Sequence, residues 1–421
     1  MSRLADLIAQ LCPDGVEYRA LGDVGVFVRG GGLQKADFVE AGMPCVHYGQ
    51  IHTRFGTSTT TAISSVSEAQ FARLKHAEYG DLLIATTSED DEAVGKATAW
   101  LGDGEVAISG DMFYYRHNLE PKYVSYFFAS SSFQEQKRPY LTGAKVRRIA
   151  DKGLSRIQIP VPPVEIQREI VRILDQFTTL EAELEAELEA RRTQYEHYRN
   201  HLLSYDSLAA RGPVSWIPLR ELGVWSGGGT PSKSRADYWD EGNIPWITPK
   251  DMRSSTIQNS MINVTDRAVR ESNVKLIEAP SIALVVRSSI LQHTFPVAQI
   301  DVDATFNQDM KTLVVDSDRF ERRYIYYALS ANGQEILRQT SKQGGSVNSL
   351  VVPRLMDYEI PVPALDEQQR IADLLDHFDA LVNDITSGLP AEIAARRAQY
   401  EHYRDRLLSF PEKVVSRSNA S

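Results

Sequence analysis

Ile166, Ile170, Ile173, Phe177, Leu180 and Leu184 recur at intervals of 4, 3, 4, 3 and 4 residues. That spacing lines one edge of a helix for packing against another helix. The stripe continues through Leu188, Arg191, Tyr195, Tyr198 and Leu202 with one extra four-residue step, a stutter. At about 1.5 Å per residue, some 40 residues predict a rod on the order of 60 Å long. A second stripe runs through Ile371, Leu375, Phe378, Ile385, Leu389, Tyr400, Tyr403 and Leu407, and Gly388 with Pro390 predicts a kink or break in it. Upstream of each stripe the pattern changes. Short apolar runs such as DLLIATT (Asp81–Thr87) and SIALVV (Ser281–Val286), set among Gly-rich turns, predict mixed domains with many short strands. IPVP stands between the two patterns both times, at Ile159–Pro162 and Ile360–Pro363. Alternating prolines exclude a helix or a central strand, so IPVP predicts a boundary.

The chain is two copies of one unit. ARRTQYEHYRNHLLS (Ala190–Ser204) returns as ARRAQYEHYRDRLLS (Ala395–Ser409), identical at 12 of 15 positions. ALGDVGVFVRGGG (Ala20–Gly32) matches PLRELGVWSGGG (Pro218–Gly229), Pro44 matches Pro245, Asp111-Met112 matches Asp309-Met310, and Tyr123 matches Tyr324. The predicted organisation is a mixed domain over 1–155, a spacer helix over 156–210, a second domain over 211–357, a second helix over 358–412 and a flexible tail over 413–421. Two narrow apolar stripes in one chain predict an antiparallel helix pair, and the duplication predicts a pseudo-twofold α+β object.

At 421 residues the chain exceeds one ordinary domain, and 42% apolar with 24% charged residues fits a globular protein. No run approaches a membrane span, and Arg3 with Asp6 breaks any signal-like apolar start, so the expected location is the cytoplasm. Two cysteines, Cys12 and Cys45, are too few for a disulfide framework or a thiolate zinc site. A net charge of -10 argues against a phosphate-bearing partner until its distribution is seen. The helix-bearing stretches hold the excess, with 6 basic against 9 acidic residues over Arg156–Tyr205 and 5 against 10 over Tyr358–Phe410. The remainder is nearly neutral and leaves room for basic loops.

Catalytic marks are missing. There is no Walker A pattern, no methyltransferase cofactor loop or Asn/Asp-Pro-Pro-aromatic motif, and no zinc-ligand spacing. GDGEVA (Gly102–Ala107) reads as a hairpin turn, and the lysine of Asp309-Met310-Lys311 is replaced by Phe113 in the other copy, so neither a cofactor fingerprint nor a nuclease site is supported.

Binding marks are present. RGGGLQK (Arg29–Lys35) and SGGGTPSKSR (Ser226–Arg235) suit either a phosphate cradle with basic ends or plain turns. KRPYLTGAKVRR (Lys137–Arg148) is the richest basic stretch, and its counterpart RQTSKQGGSVNS (Arg338–Ser349) changes most polar residues, as ATTSEDDE does against VVRSSILQ. A common frame with different polar loops fits two domains that read different base edges. Candidate DNA contacts are Arg29, Lys35, Thr86, Thr87, Ser88, Lys145, Arg147 and Arg148, then Lys233, Arg235, Lys250, Arg287, Ser288, Lys342, Gln343 and Asn348. In the repeated helix, Tyr195 and Tyr198 read as core and His197 and His402 as solvated. Repeated outward residues, namely Arg191, Arg192, Gln194, Glu196, His197 and Arg199 with Arg396, Arg397, Gln399, Glu401, His402 and Arg404, predict one partner bound twice.

Two variable stretches, each followed by a near-identical helix introduced by IPVP and ending RRxQYEHYR, resemble the specificity subunit of type I restriction-modification systems, over essentially the whole chain. The resemblance implies two target-recognition domains, each reading half of a bipartite sequence in double-stranded DNA, held apart by an antiparallel coiled coil so that the half-sites lie roughly one helical turn, about 34 Å, apart. It implies two modification (methyltransferase) subunits docked on the helices and restriction (translocase/nuclease) subunits beyond them, with S-adenosylmethionine, ATP and Mg2+ on those partners. This chain itself would hold no cofactor, metal or catalytic residue. Two rivals stand beside this reading: a methyltransferase or nuclease with its own recognition domains, whose cofactor or metal motif is absent, and a coiled-coil adaptor whose globular ends bind protein.

Overall fold

The computed structural model describes residues 2–342, 348–383 and 388–413. It divides into two compact units, 1–185 with 392–421 and 186–391. Each unit therefore combines a globular domain with parts of both long helical segments, which the five-part division of the sequence did not anticipate.

The first unit is centred on a five-stranded sheet of β1 (Gly25–Arg29), β2 (Ser58–Thr59), β3 (Leu82–Ala85), β4 (Ala97–Trp100) and β5 (Met112–His117), in the order β1-β5-β3-β4-β2. The second unit repeats it with β6 (Gly223–Gly227), β7 (Thr256–Ile257), β8 (Ser281–Val285), β9 (Val297–Ile300) and β10 (Met310–Val315), in the order β6-β10-β8-β9-β7. The apolar runs that mark β3 and β8 are continuous because both faces of the sheet are covered. In β3, Leu82 and Ile84 enter a core shared with Tyr123 and Phe127 of the helix Pro121–Ala129, whereas Leu83 and Ala85 enter a second core with Val46, Ile51 and Trp100. A smaller sheet in each unit contains one parallel pair, Met43–Val46 with Val106–Ile108 and Ile244–Ile247 with Thr305–Phe306. GDGEVA is not a hairpin turn: β4 and the strand Val106–Ile108 that flank it belong to different sheets, and Gly104 O accepts the Trp100 indole N–H at 2.8 Å.

IPVP is likewise more than a boundary. Gln158–Pro160 pairs with Tyr18–Ala20, and Glu359–Pro363 with Val214–Pro218, each as a two-stranded ribbon. A two-stranded ribbon leaves an open edge on each strand, which is where proline is tolerated.

The first stripe forms one helix, α1 (Val164–Leu202). The second forms α2 (Leu365–Asn383) and α3 (Leu389–Leu407), with Pro390 in the first turn of α3, where its missing N–H has no intrahelical partner to lose. Ile385 and Ser387 of the anticipated break lie outside the described residues. In the first unit Phe177 stacks on Tyr403 at 5.4 Å and approaches Tyr400 at 6.5 Å, and further along α1 Glu181 and Glu185 pair with Arg397. Rising numbers on α1 meet falling numbers on α3, so these segments are antiparallel. In the second unit Tyr198 stacks on Phe378 at 6.1 Å and Arg211 pairs with Glu367, the same sense.

The stripe is not a uniform coiled-coil seam. Ile166 and Ile170 of the stripe, with Leu174 beside it, are fully buried against the globular domain, whereas Leu180 is 37% and Tyr198 43% exposed. Tyr198 was expected in the core with Tyr195; only Tyr195, at 7%, is buried. The physical reason is that Ile166, Ile170 and Leu174 pack on one domain and Tyr195 and Leu202 join the core of the second unit, whereas Tyr198 meets the narrow second stripe at Phe378.

A duplicated clamp ties each long helix to its domain. Gln167 accepts the Glu120 amide at 2.9 Å and donates to Pro162 O at 2.7 Å; Gln368 does the same with Glu321 and Pro363, both at 2.9 Å. Asp175 receives Tyr126 Oη and Lys122 Nζ, both at 2.7 Å, and Asp376 receives Tyr327 Oη and Arg323 Nη1, both at 2.6 Å. Tyr123 and Tyr324 donate to Pro160 O and Pro361 O. Lys413, assigned to a flexible tail, donates its amide to Val16 O at 3.0 Å; residues 414–421 lie outside the described residues.

Candidate nucleic-acid interface

At the end of β3 the apolar run stops and the backbone becomes fixed from both sides. The Thr86 amide donates to Asp111 O at 3.0 Å and Thr86 O accepts the Ile149 amide at 3.1 Å. Thr87 and Ser88 pair with Arg148 and Arg147 of the strand Arg147–Ile149. Below them Thr87 O meets His52 Nε2 at 3.0 Å, and because a carbonyl can only accept, Nε2 carries the proton. Burial pushes the His52 pKa down, so the ring is neutral in this support role. The result is an open cleft of about 460 Å³ lined by Arg29, Thr86, Thr87, Asp111, Phe113 and Arg148. Four sequence candidates, Arg29, Thr86, Thr87 and Arg148, thus converge.

The other candidates of this unit do not. Arg147 is held by Asp91 (Nε to Oδ1, 2.5 Å) and by Gly143 O (Nη1, 2.5 Å), an internal pin that offsets its charge. Ser88 Oγ accepts the Asp90 amide, and Lys145 is exposed on the loop between the strands Leu141–Thr142 and Arg147–Ile149. Lys35 is exposed on the turn Lys35–Asp37, away from the cleft lining. In the glycine loops, three of the amides that a phosphate cradle would use are already bonded to backbone carbonyls. Gly30 and Gly31 donate to Met112 O and Ile108 O, and Gly229 donates to Phe306 O. A Cβ on Gly30 would lie 2.1 Å from Ser109 O, and one on Gly228 1.9 Å from Asn307 O, so these glycines exist for close backbone approach.

The second unit builds the same frame. The Val286 amide donates to Asp309 O at 2.8 Å, the Leu350 amide to Val286 O at 2.8 Å, and Arg287 lies opposite Ser349. The repeated Asp-Met is explained by this frame: the aspartate carbonyl takes the amide after β3 or β8, and Met112 and Met310 are fully buried. The chemistry on the frame is transposed. Thr87 faces Arg148 in one unit, and Arg287 faces Ser349 in the other. Likewise Arg29 faces Phe113, whereas Gly227 faces Lys311, a cation that the sequence reading set aside and that the misfit of Phe113 with Lys311 could have signalled.

Ser288 donates its amide to Asn348 O at 3.0 Å, and Lys342 donates its own to Ser349 O at 2.8 Å; Gln343 lies outside the described residues. Arg235 is occupied elsewhere, bound by Asp237 and Glu271 and lying 4.2 Å over the Tyr238 ring, with its pKa raised chiefly by the Asp237 bond. Lys233 and Lys250 are exposed.

On the repeated helix, Arg191 and Arg396 make the same bond to Gln194 and Gln399, at 3.1 and 3.2 Å. Arg192, Glu196, His197, Glu401 and His402 are exposed. Arg397 and Arg404 make further contacts within their unit, Arg397 while its side chain stays 54% exposed. Arg397 pairs with Glu181 and Glu185 across the helix pair, and Arg404, its side chain 11% exposed, lies over the Tyr400 ring beside Asp405. Arg199 lies in the same way over Tyr195, at 5.7 Å. Among the described residues no cluster of His, Cys, Asp and Glu could hold a metal ion, and no helix is long and apolar enough to cross a membrane.

The sequence model of the type I restriction modification DNA specificity domain matches residues 13–190 and again 214–395. Over 297 residues the chain is 48% identical to the type I restriction enzyme EcoR124I/EcoR124II specificity subunit of Escherichia coli, covering 69% of this chain and 71% of that one. Over 331 residues it is 27% identical to a putative type I restriction enzyme specificity subunit of Haemophilus influenzae, covering 76% and 78%. A chain solved in work on complex assembly and conformational transition of the type I R-M system shares the fold with a TM-score of 0.64 at 18% identity, covering 94% and 98%. The S subunit of a type I restriction-modification system from M. genitalium does so at 0.51 and 13%, covering 94% and 96%.

Proposed function

We propose, for a chain that belongs to the type I restriction modification DNA specificity family, that its two units read the two halves of a split DNA sequence. DNA sequence recognition is the function of the family. The transposition of polar residues on one frame carries the finer reading. Arg148 against Thr87 and Arg287 against Ser349 present different donor patterns from the same backbone position, which is what two unlike half-sites require. The duplicated Gln167/Gln368 and Asp175/Asp376 clamps support it, because a reading surface specifies sequence only when its own orientation is fixed.

The chain acts as reader and scaffold and has no catalytic activity of its own. Modification subunits dock on the exposed helix residues Gln194, Glu196 and His197 and their counterparts Gln399, Glu401 and His402. They carry S-adenosylmethionine, while restriction subunits carry ATP and Mg2+, and the assembly works in the cytoplasm. The relatives' names, specificity subunits of restriction enzymes, support this assignment.

The test is the methylated target of the complete system. Exchanging Arg29–Arg148 for the same region of a relative should alter one half of a bipartite target. A change in both halves, or an unsplit target, would refute the assignment of one half to each unit.

A further inference from the structure

Arg287 is the residue at which the shared frame carries the most organised charge. Its backbone is pinned on both edges: the Val286 and Arg287 amides both donate to Asp309 O, at 2.8 and 3.3 Å, and on the other side Arg287 pairs with Ser349 while the Ser288 amide reaches Asn348 O. Its side chain is pinned as well. Nε donates to Asp309 Oδ1 at 2.5 Å, Asp309 Oδ2 accepts Asn307 Nδ2 at 3.1 Å, and Asn307 Oδ1 accepts the Asp309 amide at 3.1 Å. Asn307 is 7% exposed, so the relay starts in the interior and ends at a guanidinium whose side chain is 52% exposed.

Support at Nε fixes the plane of the guanidinium and with it the fork of its two terminal amines. That fork matches guanine O6 and N7, the commonest specific arginine contact in the major groove. A phosphate contact needs only positive charge near a diffuse anion, which an unsupported lysine supplies as well. Locking the fork beforehand also removes the rotamer entropy that binding would otherwise consume. At the equivalent position of the first unit stands Thr87, whose hydroxyl lies 3.5 Å from Asp111 Oδ1, so the fork belongs to one unit alone.

We propose that Arg287 reads a guanine in the half-site of the second unit, with Asp309 and Asn307 as its positioning residues. This rests on the DNA-reading function above and assigns a base and a residue to it.

The experiment uses the full chain assembled with the modification subunits of its own system, and reads methylated sequences from a random DNA library. The variants are Arg287→Ala, Arg287→Lys and Asp309→Asn. The expected result is a loss of discrimination of about ten- to a hundredfold at one G·C pair for both Arg287 variants, the other half-site being unchanged. Asp309→Asn should relax the same pair, by less. Undiminished discrimination in Arg287→Lys would show that only charge is used and would overturn the proposal. So would relaxation spread evenly over the half-site, the mark of a merely structural role, or a wild-type target with no G·C pair in the affected half. If the wild-type complex yields no bipartite target, the two-unit reading fails on its own account, before any variant is compared.

Discussion

Replacing Gln167 by leucine isolates the clamp between helix and reading domain. Gln167 is 3% exposed and commits both ends of its amide to backbone, accepting from Glu120 N and donating to Pro162 O. Leucine has nearly the same reach and neither bond. The Pro162 bond is buried and its carbonyl loses its donor outright; the Glu120 bond is part-buried and regains some water. An orphaned buried group costs about 1–3 kcal/mol, and the half-solvated one less, so the two together cost roughly 2–4 kcal/mol. The better burial of leucine offsets about 1 kcal/mol of this. At roughly 2–4 °C per kcal/mol for a unit of this size, the net loss of about 1–3 kcal/mol should lower melting of the affected unit by about 2–12 °C. Calorimetry gives the shift, and hydrogen exchange gives its place: the Glu120 amide should lose protection. Gln368→Leu should do the same at Glu321, because Gln368 makes the same two bonds at 1% exposure. A fall of less than about 2 °C with Glu120 still protected would mean that Ile166, Ile170 and Leu174 hold the helix by apolar packing alone.

Gly30→Ala should destabilise the first unit by several kcal/mol, on the order of an overpacked core site, because its methyl would meet the Ser109 carbonyl at 2.1 Å; thermal melting checks it, and a neutral result would refute the close-approach reading of the glycine loops. Lys137, 1% exposed with Nζ on Glu92 O and Val94 O, has its pKa pushed down to about 8 by burial. The fold therefore releases this proton before the unfolded chain does, so the contribution of Lys137 to stability is flat below pH 8 and rises between about pH 8 and 10, by at most about 3 kcal/mol. Urea midpoints across that window should show the rise in the wild type and lose it in Lys137→Met. Arg148→Ala should weaken DNA binding and flatten its salt dependence by about one counterion, whereas Arg147→Ala, whose guanidinium Asp91 and Gly143 already occupy, should do so less. Titrations at several salt concentrations compare them, and equal losses would show that the internal pin opens on DNA.

Repetition made much of this fold legible. Tyr123 with Tyr324, the two IPVP segments and the two Asp-Met pairs stand out because identical residues do identical structural work in both units. The clamp glutamines and aspartates were equally repeated but sat inside a helical stripe, where attention to the apolar period hides a buried polar residue. Arg147 and Arg148 show the limit. Neighbours on a strand point to opposite faces, and the partner that silences Arg147 is Asp91, 56 residues away. No local pattern distinguishes them. The glycine loops misled for a related reason: a glycine needed for close approach to a neighbouring carbonyl and a glycine needed to expose its amide look the same in sequence.

The repeated helix motif is explained by how each unit closes. In the second unit the chain runs on from Leu202 through the helix Tyr205–Ala209 to the strand Val214–Pro218. In the first, the same join is made without a covalent link. Leu408 and Phe410 are buried in its core, Phe410 O accepts the Tyr18 hydroxyl at 3.0 Å, and Glu412 pairs with Val16 just before the strand Tyr18–Ala20. Each unit thus consists of a domain, the start of the helical segment that follows it and the end of the helical segment that precedes it in a cyclic order. Each copy of ARRxQYEHYR then serves the next domain round. Tyr195 is buried in the second unit, Tyr400 meets Tyr126 in the first, and Arg199 and Arg404 cover their tyrosines alike. Packing therefore requires the tyrosines and the last arginine to recur. It does not require Gln194, Glu196 and His197 to match Gln399, Glu401 and His402, all of them exposed. Those three pairs are where a partner bound twice is still needed as an explanation, and the surface to mutate when its docking is mapped.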